Sequence, residues 1–383
     1  MIAIGLMSGT SLDGIDAALV RIQPRGDSYD LELLRFITVP FDEELSEVLR
    51  GALPPNSANA AVLASLHRRL GTAFARAAKT LAGAPQVDYI ASHGQTMWHD
   101  GAAHVTTQIG DPFIIRETLN ATVCYDFRSA DCAVGGHGAP LVPYVDALLF
   151  ADESEDRAIL NIGGIANVTL LQAGVATHDV TAFDIGPGNM LIDAFVHERT
   201  RGKQTMDRDG ALAAAGTVNE DVLATLLQDE YLALSPPKST GRERFGSQFL
   251  RLHSPILSAL SLEDGAATLT EFTVAAIAGA LQHDRGTWRR LIVSGGGALN
   301  LHLLQRLQAR LPALDVEPSA KYGIPVEAKE AIAFAILGYE TLRERAANVP
   351  RVTGASRAVP LGAIAPVGLT ALLSEVEREC RSW

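Results

Sequence analysis

Three glycine-rich turns, each following an apolar run, hold the densest chemistry in this sequence. They are Ser8-Gly9-Thr10-Ser11-Leu12-Asp13-Gly14-Ile15-Asp16, Asp184-Ile185-Gly186-Pro187-Gly188-Asn189 and Gly295-Gly296-Gly297-Ala298-Leu299-Asn300. Glycine has no Cβ, so backbone N–H groups there can approach an anion, and the hydroxyls of Thr10 and Ser11 add donors. The third turn also opens an apparent helix, whose N-terminal dipole favours negative charge. One such turn alone reads as a plain strand–turn element. Three together, two of them in corresponding places of a repeated pattern, point to a phosphate cradle.

The familiar phosphate binders do not account for these turns. No G-x-x-x-x-G-K-[ST] run is present, since Gly202-Lys203 is followed by Gln204 and lacks the upstream glycine. Gly295-x-Gly297-x-x-Asn300, with Asp315 downstream, imitates a dinucleotide fingerprint, but it ends on Asn and leaves the other two turns unexplained. Among charged residues, Asp184 ends an apolar run, so its carboxylate should project beside the turn; the plain alternative is an Asp capping its own Gly-Pro-Gly. Arg128, flanked by Asp126 and Asp131, suits either a structural ion pair or a bidentate grip on a carboxylate. Lys238 and Arg242 sit in Ser235–Arg242, which reads as a loop that closes over a ligand or as a solvated one. Glu327 and Glu330 follow Pro325 in a first helical turn, where carboxylates meet the dipole favourably.

These residues need strands to carry them. Ile2–Leu6, Ile15–Ile22 and Leu31–Val39 read as a three-stranded meander, helical periodicity runs from Val62 to Leu81, and a strand at Val87–Ala91 ends in the loop Ser92-His93-Gly94-Gln95-Thr96. The same grammar returns at Ala158–Ile162, the turn Gly163–Asn167, Val168–Gln172 and Val180–Ile185, with a helix from Met190. A strand at Arg290–Val293 precedes a helix through Leu311, and another helix spans about Val326–Arg345. The expectation is two α/β domains of related topology, each led by an antiparallel hairpin whose turn faces a shared cleft. Residues 1–134, joined by about 350–383, would form the first, and 135–349 the second.

The 383 residues, 47% of them hydrophobic and 20% charged, supply ample core for two or three domains. The formal net charge of −12 argues against general binding to nucleic acid or an acidic membrane. Three cysteines with no C-x-x-C pair argue against a disulfide scaffold or structural zinc and fit a reducing compartment. No basic residue precedes Arg21 and no apolar stretch is long enough to span a bilayer, so a cytoplasmic protein without a membrane partner is expected.

Phosphate turns at two duplicated hairpins plus a late Gly-Gly-Gly turn form the pattern of the actin-like sugar-kinase and chaperone ATPase group. Within it, Gly5–Asp16, Ser92–Thr96, Asp126–Asp131, Gly135–Pro143, Asn161–Asn167, Asp184–Asn189, Pro236–Arg242 and Gly295–Asn300 closely resemble the anhydro-N-acetylmuramic acid kinases. That resemblance implies two ribonuclease H-like (actin-like ATPase) domains with an interdomain cleft. It implies ATP with Mg2+ as cofactors, and hydrolytic opening with 6-phosphorylation of an anhydro amino sugar in peptidoglycan recycling. It leaves room for a homodimer. Gly9, Thr10, Ser11, Leu12, Asp13, Gly14, Ile15, Asp16, Gly164, Asn167, Gly186, Gly188, Asn189, Gly295, Gly296 and Asn300 would surround the nucleotide. His93, Gly94, Gln95, Thr96 and Arg128 would take the sugar. Asp184 would be the general base, with Asp13 and Asp16 the next candidates and Glu330 a second acid. Two departures stand out: Met7 occupies the place where the wider group has Asp, leaving metal ligands unassigned, and His137 replaces the family's usual Gln. A same-fold kinase for another sugar or acid, and a non-catalytic nucleotide-gated module, are the rival readings.

Overall fold

Strand pairing, read residue by residue, builds two sheets with one plan; the computed structural model describes residues 1–9, 12, 14–26, 28–53, 56–83, 86–283 and 286–381. The first sheet contains β1 (Ile2–Ser8), β2 (Gly14–Arg25), β3 (Ser28–Pro40), β4 (Tyr89–Asp100), β5 (Val105–Ile109), β6 (Thr122–Tyr125) and β12 (Ala363–Ala365). Its order is β12-β6-β4-β1-β2-β3, with β5 paired to β4. The second contains β7 (Arg157–Ile162), β8 (Ile165–Leu171), β9 (Thr181–Pro187), β10 (Arg290–Ser294) and β11 (Asp315–Pro318), in the order β11-β10-β7-β8-β9. In each sheet an antiparallel meander of three strands is extended, on the far side of its first strand, by two parallel strands. That is the ribonuclease H-like arrangement, present twice, as the pattern of turns predicts.

The chain divides into Met1–Leu149 with Ala176–Asp179 and Ala328–Trp383, and Phe150–Val175 with Val180–Glu327. The divisions therefore fall at 149/150 and 327/328, where the sequence reading expects 134/135 and 349/350. The reason is packing of the helix Lys329–Leu342 within the first unit. Its Glu340 accepts a hydrogen bond from Tyr144, and its Lys329 forms a buried 2.8 Å ion pair with Asp146.

One face of the first sheet presents Ile4, Leu6, Ile90 and Val123 to Leu66, Leu70 and Phe74 of the helix Ala60–Leu81. The other face lies against Lys329–Leu342 so closely that a Cβ on Gly5 would overlap the carbonyl of Ala331. Gly5→Ala should therefore cost about 1–3 kcal/mol, read as a Tm several degrees lower; an unchanged melting curve would show that the helix can shift freely. In the second unit Leu160, Ile162, Val168 and Val293 pack with Ile277, Leu303 and Leu307. Among the described residues no helix is long and apolar enough to cross a membrane.

The largest local difference from the sequence reading concerns β4. Ser92–Thr96 is continuous strand, because β5 pairs with its outer half and gives those backbone groups partners. Gly94 sits within it at φ +75, a conformation open to glycine, and its missing Cβ leaves room for the Ile109 carbonyl.

Candidate active site

In the second unit, strand register sets Ser294, Asn161, Asn167 and Asp184 in one row across β10, β7, β8 and β9. All four stand near the strand ends from which the glycine turns leave. The turn after β9 is stitched to the β7–β8 hairpin. Gly188 N–H donates to Gly164 O at 2.9 Å, and Asn189 N–H donates to Gly163 O at 2.8 Å. A side chain at Gly188 would overlap the Gly163 carbonyl, so only glycine allows this contact. Gly295, at φ +76, brings the third turn alongside, where an added Cβ would stand 2.6 Å from Asn161 Oδ1. Gly296 differs from its neighbours. Its nearest obstacle is Asn189 Nδ2 at 3.8 Å, so its backbone is open to a ligand. Within the second unit the turns after β7, β9 and β10 thus lie together, carrying Gly164, Gly186, Gly188, Asn189, Gly295 and Gly296, with Asn167 in the adjoining row, whereas the Ser8–Asp16 turn belongs to the first unit.

Asn300 has a different duty. Its Oδ1 accepts the Leu303 N–H at 2.9 Å and caps the helix Leu301–Arg310. The third turn itself, Gly296–Leu299, is a short 3-10 segment, so the α-helix begins one turn later than its glycines suggest.

Asp184 does not cap its own turn. Its Oδ2 accepts the Thr240 N–H at 3.0 Å, its N–H donates to Lys238 O at 3.2 Å, and its carbonyl accepts from the Tyr231 hydroxyl at 2.8 Å. The Pro-Pro-Lys-Ser-Thr loop is clasped to the carboxylate by main-chain bonds. Lys238 itself folds back, with Nζ 4.7 Å from the Tyr231 ring centre and 3.2 Å from the Tyr231 carbonyl it donates to. Arg242 is exposed. Burial pushes the Asp184 carboxyl above the ordinary carboxylate range, the Thr240 N–H opposes that rise, and the negative charge of Glu243 adds to it.

In the first unit, β4 holds the first glycine turn from the side. Gln95, wholly buried, donates from Nε2 to Gly9 O at 3.3 Å, and its Oε1 lies 2.6 Å from the Ser8 hydroxyl. Leu12, at φ +58, and Ile15 belong to the core, and Gly14 lies against β3. Asp16 accepts from Thr38 at 2.6 Å and stands across from Met7 in register. Thr10, Ser11 and Asp13 lie outside the described residues.

His93 is buried and has both ring nitrogens engaged. Nδ1–H donates to Gly94 O at 2.8 Å, and Nε2 accepts from Arg128 Nε at 3.0 Å. Those two bonds fix a neutral tautomer. Burial holds the imidazole well below its usual range, and the Arg128 charge acts in the same direction. Arg128 also donates from Nη1 to Gly138 O at 2.8 Å. Glu330 starts the helix Lys329–Leu342. Its carboxyl is raised by desolvation, lowered by Arg128, raised again by Asp16 and lowered by Lys329. Arg128, Glu330 and Asp16 therefore share one electrostatic neighbourhood. Gly94 lines a cavity of about 230 Å³ together with Ser92, Gln108, Tyr125, Asp126 and Ser129. Thr96 accepts from Gln108 Nε2 at 3.2 Å.

Sequence reasoning passed over β5. Its Thr-Thr-Gln-Ile-Gly carries no charge, and the only signal was a glycine just after an alternating polar run, Gly110, which the fold places opposite Gly94. Asn161 was equally legible in principle, since it precedes Gly163-Gly164 as Asp184 precedes Gly186. Among the described residues no three His, Cys, Asp or Glu side chains gather as a metal site.

A family model described as anhydro-N-acetylmuramic acid kinase matches residues 1–367. A protein of that name from Caldanaerobacter subterraneus subsp. tengcongensis is 40% identical over 381 residues, covering 95% of this chain and 96% of its own. Another of that name, from Pseudomonas paraeruginosa, is 42% identical over 370 residues, with 95% and 98% covered. Among solved structures, a ROK family glucokinase from Streptomyces griseus, in complex with glucose and AMPPNP, shows 14% identity at a TM-score of 0.39 over 88% of this chain and 99% of its own. That likeness is too distant to align one site residue with another.

Proposed function

The chain belongs to the anhydro-N-acetylmuramic acid kinase family, sugar kinases of peptidoglycan recycling, and we propose that Asp184 drives a coupled hydrolysis and phosphoryl transfer. Asp184 takes a proton from a water whose oxygen bonds to the anomeric carbon. The bond from that carbon to the bridging oxygen breaks, and the freed 6-oxygen takes the γ-phosphoryl group of ATP. N-acetylmuramic acid 6-phosphate, ADP and the proton are the products. The observation that carries this reading is the Asp184 carboxylate, held by the Thr240 N–H, in the strand-end row beside the turns after β7, β9 and β10.

The backbone of Gly164, Gly186, Gly188, Gly295 and Gly296 holds phosphates, with Asn167 and Asn189 beside it, and the turn from Gly9 to Asp16 does the same in the first unit. Asn300 contributes by capping the helix behind its turn. Arg128 takes the lactyl carboxylate of the sugar, with His93, Gly94, Gln95 and Thr96 shaping that side. Magnesium needs only one or two carboxylates when phosphate oxygens complete its shell. Burial raises the Glu330 carboxyl most and the Asp16 charge adds to it; these two carboxylates are the ones that would hold such a cation, which would neutralise phosphate charge. The ATP requirement puts the reaction in the cytoplasm.

Asp184 must be ionised to act, so activity is lost as pH falls through its raised pKa. Glu243→Gln removes a charge that raises it, and the acid limb of kcat/KM should move to lower pH. Glu243 is exposed, so the shift should be small and should shrink with added salt. A limb that stays in place, or moves up, removes Asp184 as the titrating base. The activity itself is tested by coupled ADP release across a sugar panel. The anhydro sugar should be turned over, and turnover of its ring-opened form alone would overturn the hydrolytic half of the reaction.

A further inference from the structure

An edge strand leaves main-chain groups without ladder partners, and β9 is an outer strand of the second sheet. At Asp184 both such groups are answered from outside that sheet. Its N–H donates to Lys238 O at 3.2 Å, and its carbonyl accepts from the Tyr231 hydroxyl at 2.8 Å. Lys238 reaches back in turn, donating from Nζ to the Tyr231 carbonyl at 3.2 Å. Asp184, Lys238 and Tyr231 thus close a circuit of three hydrogen bonds that leaves the carboxylate outside it. The carboxylate is held separately, by the Thr240 N–H on Oδ2. Tyr231 itself is firmly seated. It is 4% exposed, and its ring stands edge-on to Phe245 with centres 5.7 Å apart. Its N–H donates to Asp229 Oδ1 at 2.9 Å, and Arg244 holds that carboxylate at 2.8 Å. Two cations attend the ring, the Lys238 ammonium 4.7 Å and the Arg244 guanidinium 5.7 Å from its centre. Burial raises the Tyr231 phenol above its ordinary range, and the Asp184 charge adds to that. The hydroxyl therefore stays protonated, and donating, through neutral pH.

We propose that Tyr231 is a positioning residue for Asp184, with Lys238 as its strut, an assignment that rests on Asp184 being the base as inferred above. Tyr231 and Lys238 fix the main chain of Asp184, and Thr240 fixes one carboxylate oxygen, so the other is aimed in a set direction. A general base works only within hydrogen-bond reach of the proton it takes, and a misplacement of about 1 Å can cost about 10²-fold in rate. Tyr231 acts through Asp184 alone. Lys238 belongs to the same device, as a brace of its own loop rather than a cation awaiting a ligand.

The test places Tyr231→Phe and Lys238→Met in the wild-type and the Asp184→Asn backgrounds. Tyr231→Phe keeps the ring, its contact with Phe245 and both cations, and removes only the donor to the Asp184 carbonyl. Lys238→Met keeps a side chain of similar reach and removes the strut. In the wild-type background each should lower kcat by about 10-fold, with KM for ATP and for the anhydro sugar within about 2-fold of the original. In the Asp184→Asn background no base remains to be aimed, so neither change should lower the single-turnover rate further. A folding role alone would lower Tm and leave kcat in place. A role in holding ligand would raise KM, or cost the same factor in both backgrounds. Either pattern overturns the assignment, and Lys238→Met decides the comparison if Tyr231→Phe does not fold. Wild-type turnover by Asp184→Asn itself would overturn the base reading, and the assignment with it.

Discussion

Asp184→Asn should lower turnover by about 10²–10⁴-fold while ATP binding stays close to wild type. The substitution keeps the shape of the side chain. An amide oxygen can still accept the Thr240 N–H that now holds Oδ2, so the Pro-Pro-Lys-Ser-Thr loop stays clasped. What disappears is the basic oxygen. Among the described residues no hydrogen bond is made to Asp184 Oδ1, which leaves it to receive the proton of the attacking water. The glycines proposed to hold phosphate are untouched, and calorimetry should report nearly unchanged nucleotide affinity. Near-normal ADP release from this variant would move the base elsewhere, with Glu330 the first place to look.

Arg128→Lys should raise KM for the anhydro sugar by about 10²-fold. The guanidinium holds His93 through Nε and Gly138 through Nη1, and in the proposed function its remaining donors take the ligand. The bond to His93 removes the side-on Nε grip, so a carboxylate is held end-on by the two terminal nitrogens. A lysine ammonium cannot keep both protein contacts and still present two parallel donors. The lactyl carboxamide analogue separates recognition from packing. Wild type should bind it far less well than the acid, and the variant should treat the two nearly alike. Equal losses on acid and amide would reduce Arg128 to a packing role.

The glycine turns were legible because each follows an apolar run, and that local pattern is what the strands β1, β7, β9 and β10 preserve. The meanders were legible for the same reason, since period-two alternation is written along the chain. Contacts between distant segments were not. Thr240 reaches Asp184 across 56 residues and Arg128 reaches His93 across 35, and no spacing rule ties such pairs together. Ser92–Thr96 reads as a loop because its glycine and polar residues lack strand alternation. The missing fact was β5, whose pairing turns that stretch into strand and gives Gln95 its hold on the first turn. Asn300, which the family resemblance sets beside the nucleotide, also forms the helix cap that its residue type suits.

In the proposed reaction one active site couples attack of water on the anomeric carbon to phosphorylation of the 6-oxygen. Turnover of the anhydro sugar with ATP in 18O-labelled water, quenched early and read by mass spectrometry, tests it most directly. One 18O per product molecule is expected, located on the sugar's anomeric hydroxyl, with the transferred phosphate unlabelled and one ADP formed per sugar. Label appearing in phosphate, or ADP formed without ring-opened sugar phosphate, would contradict it.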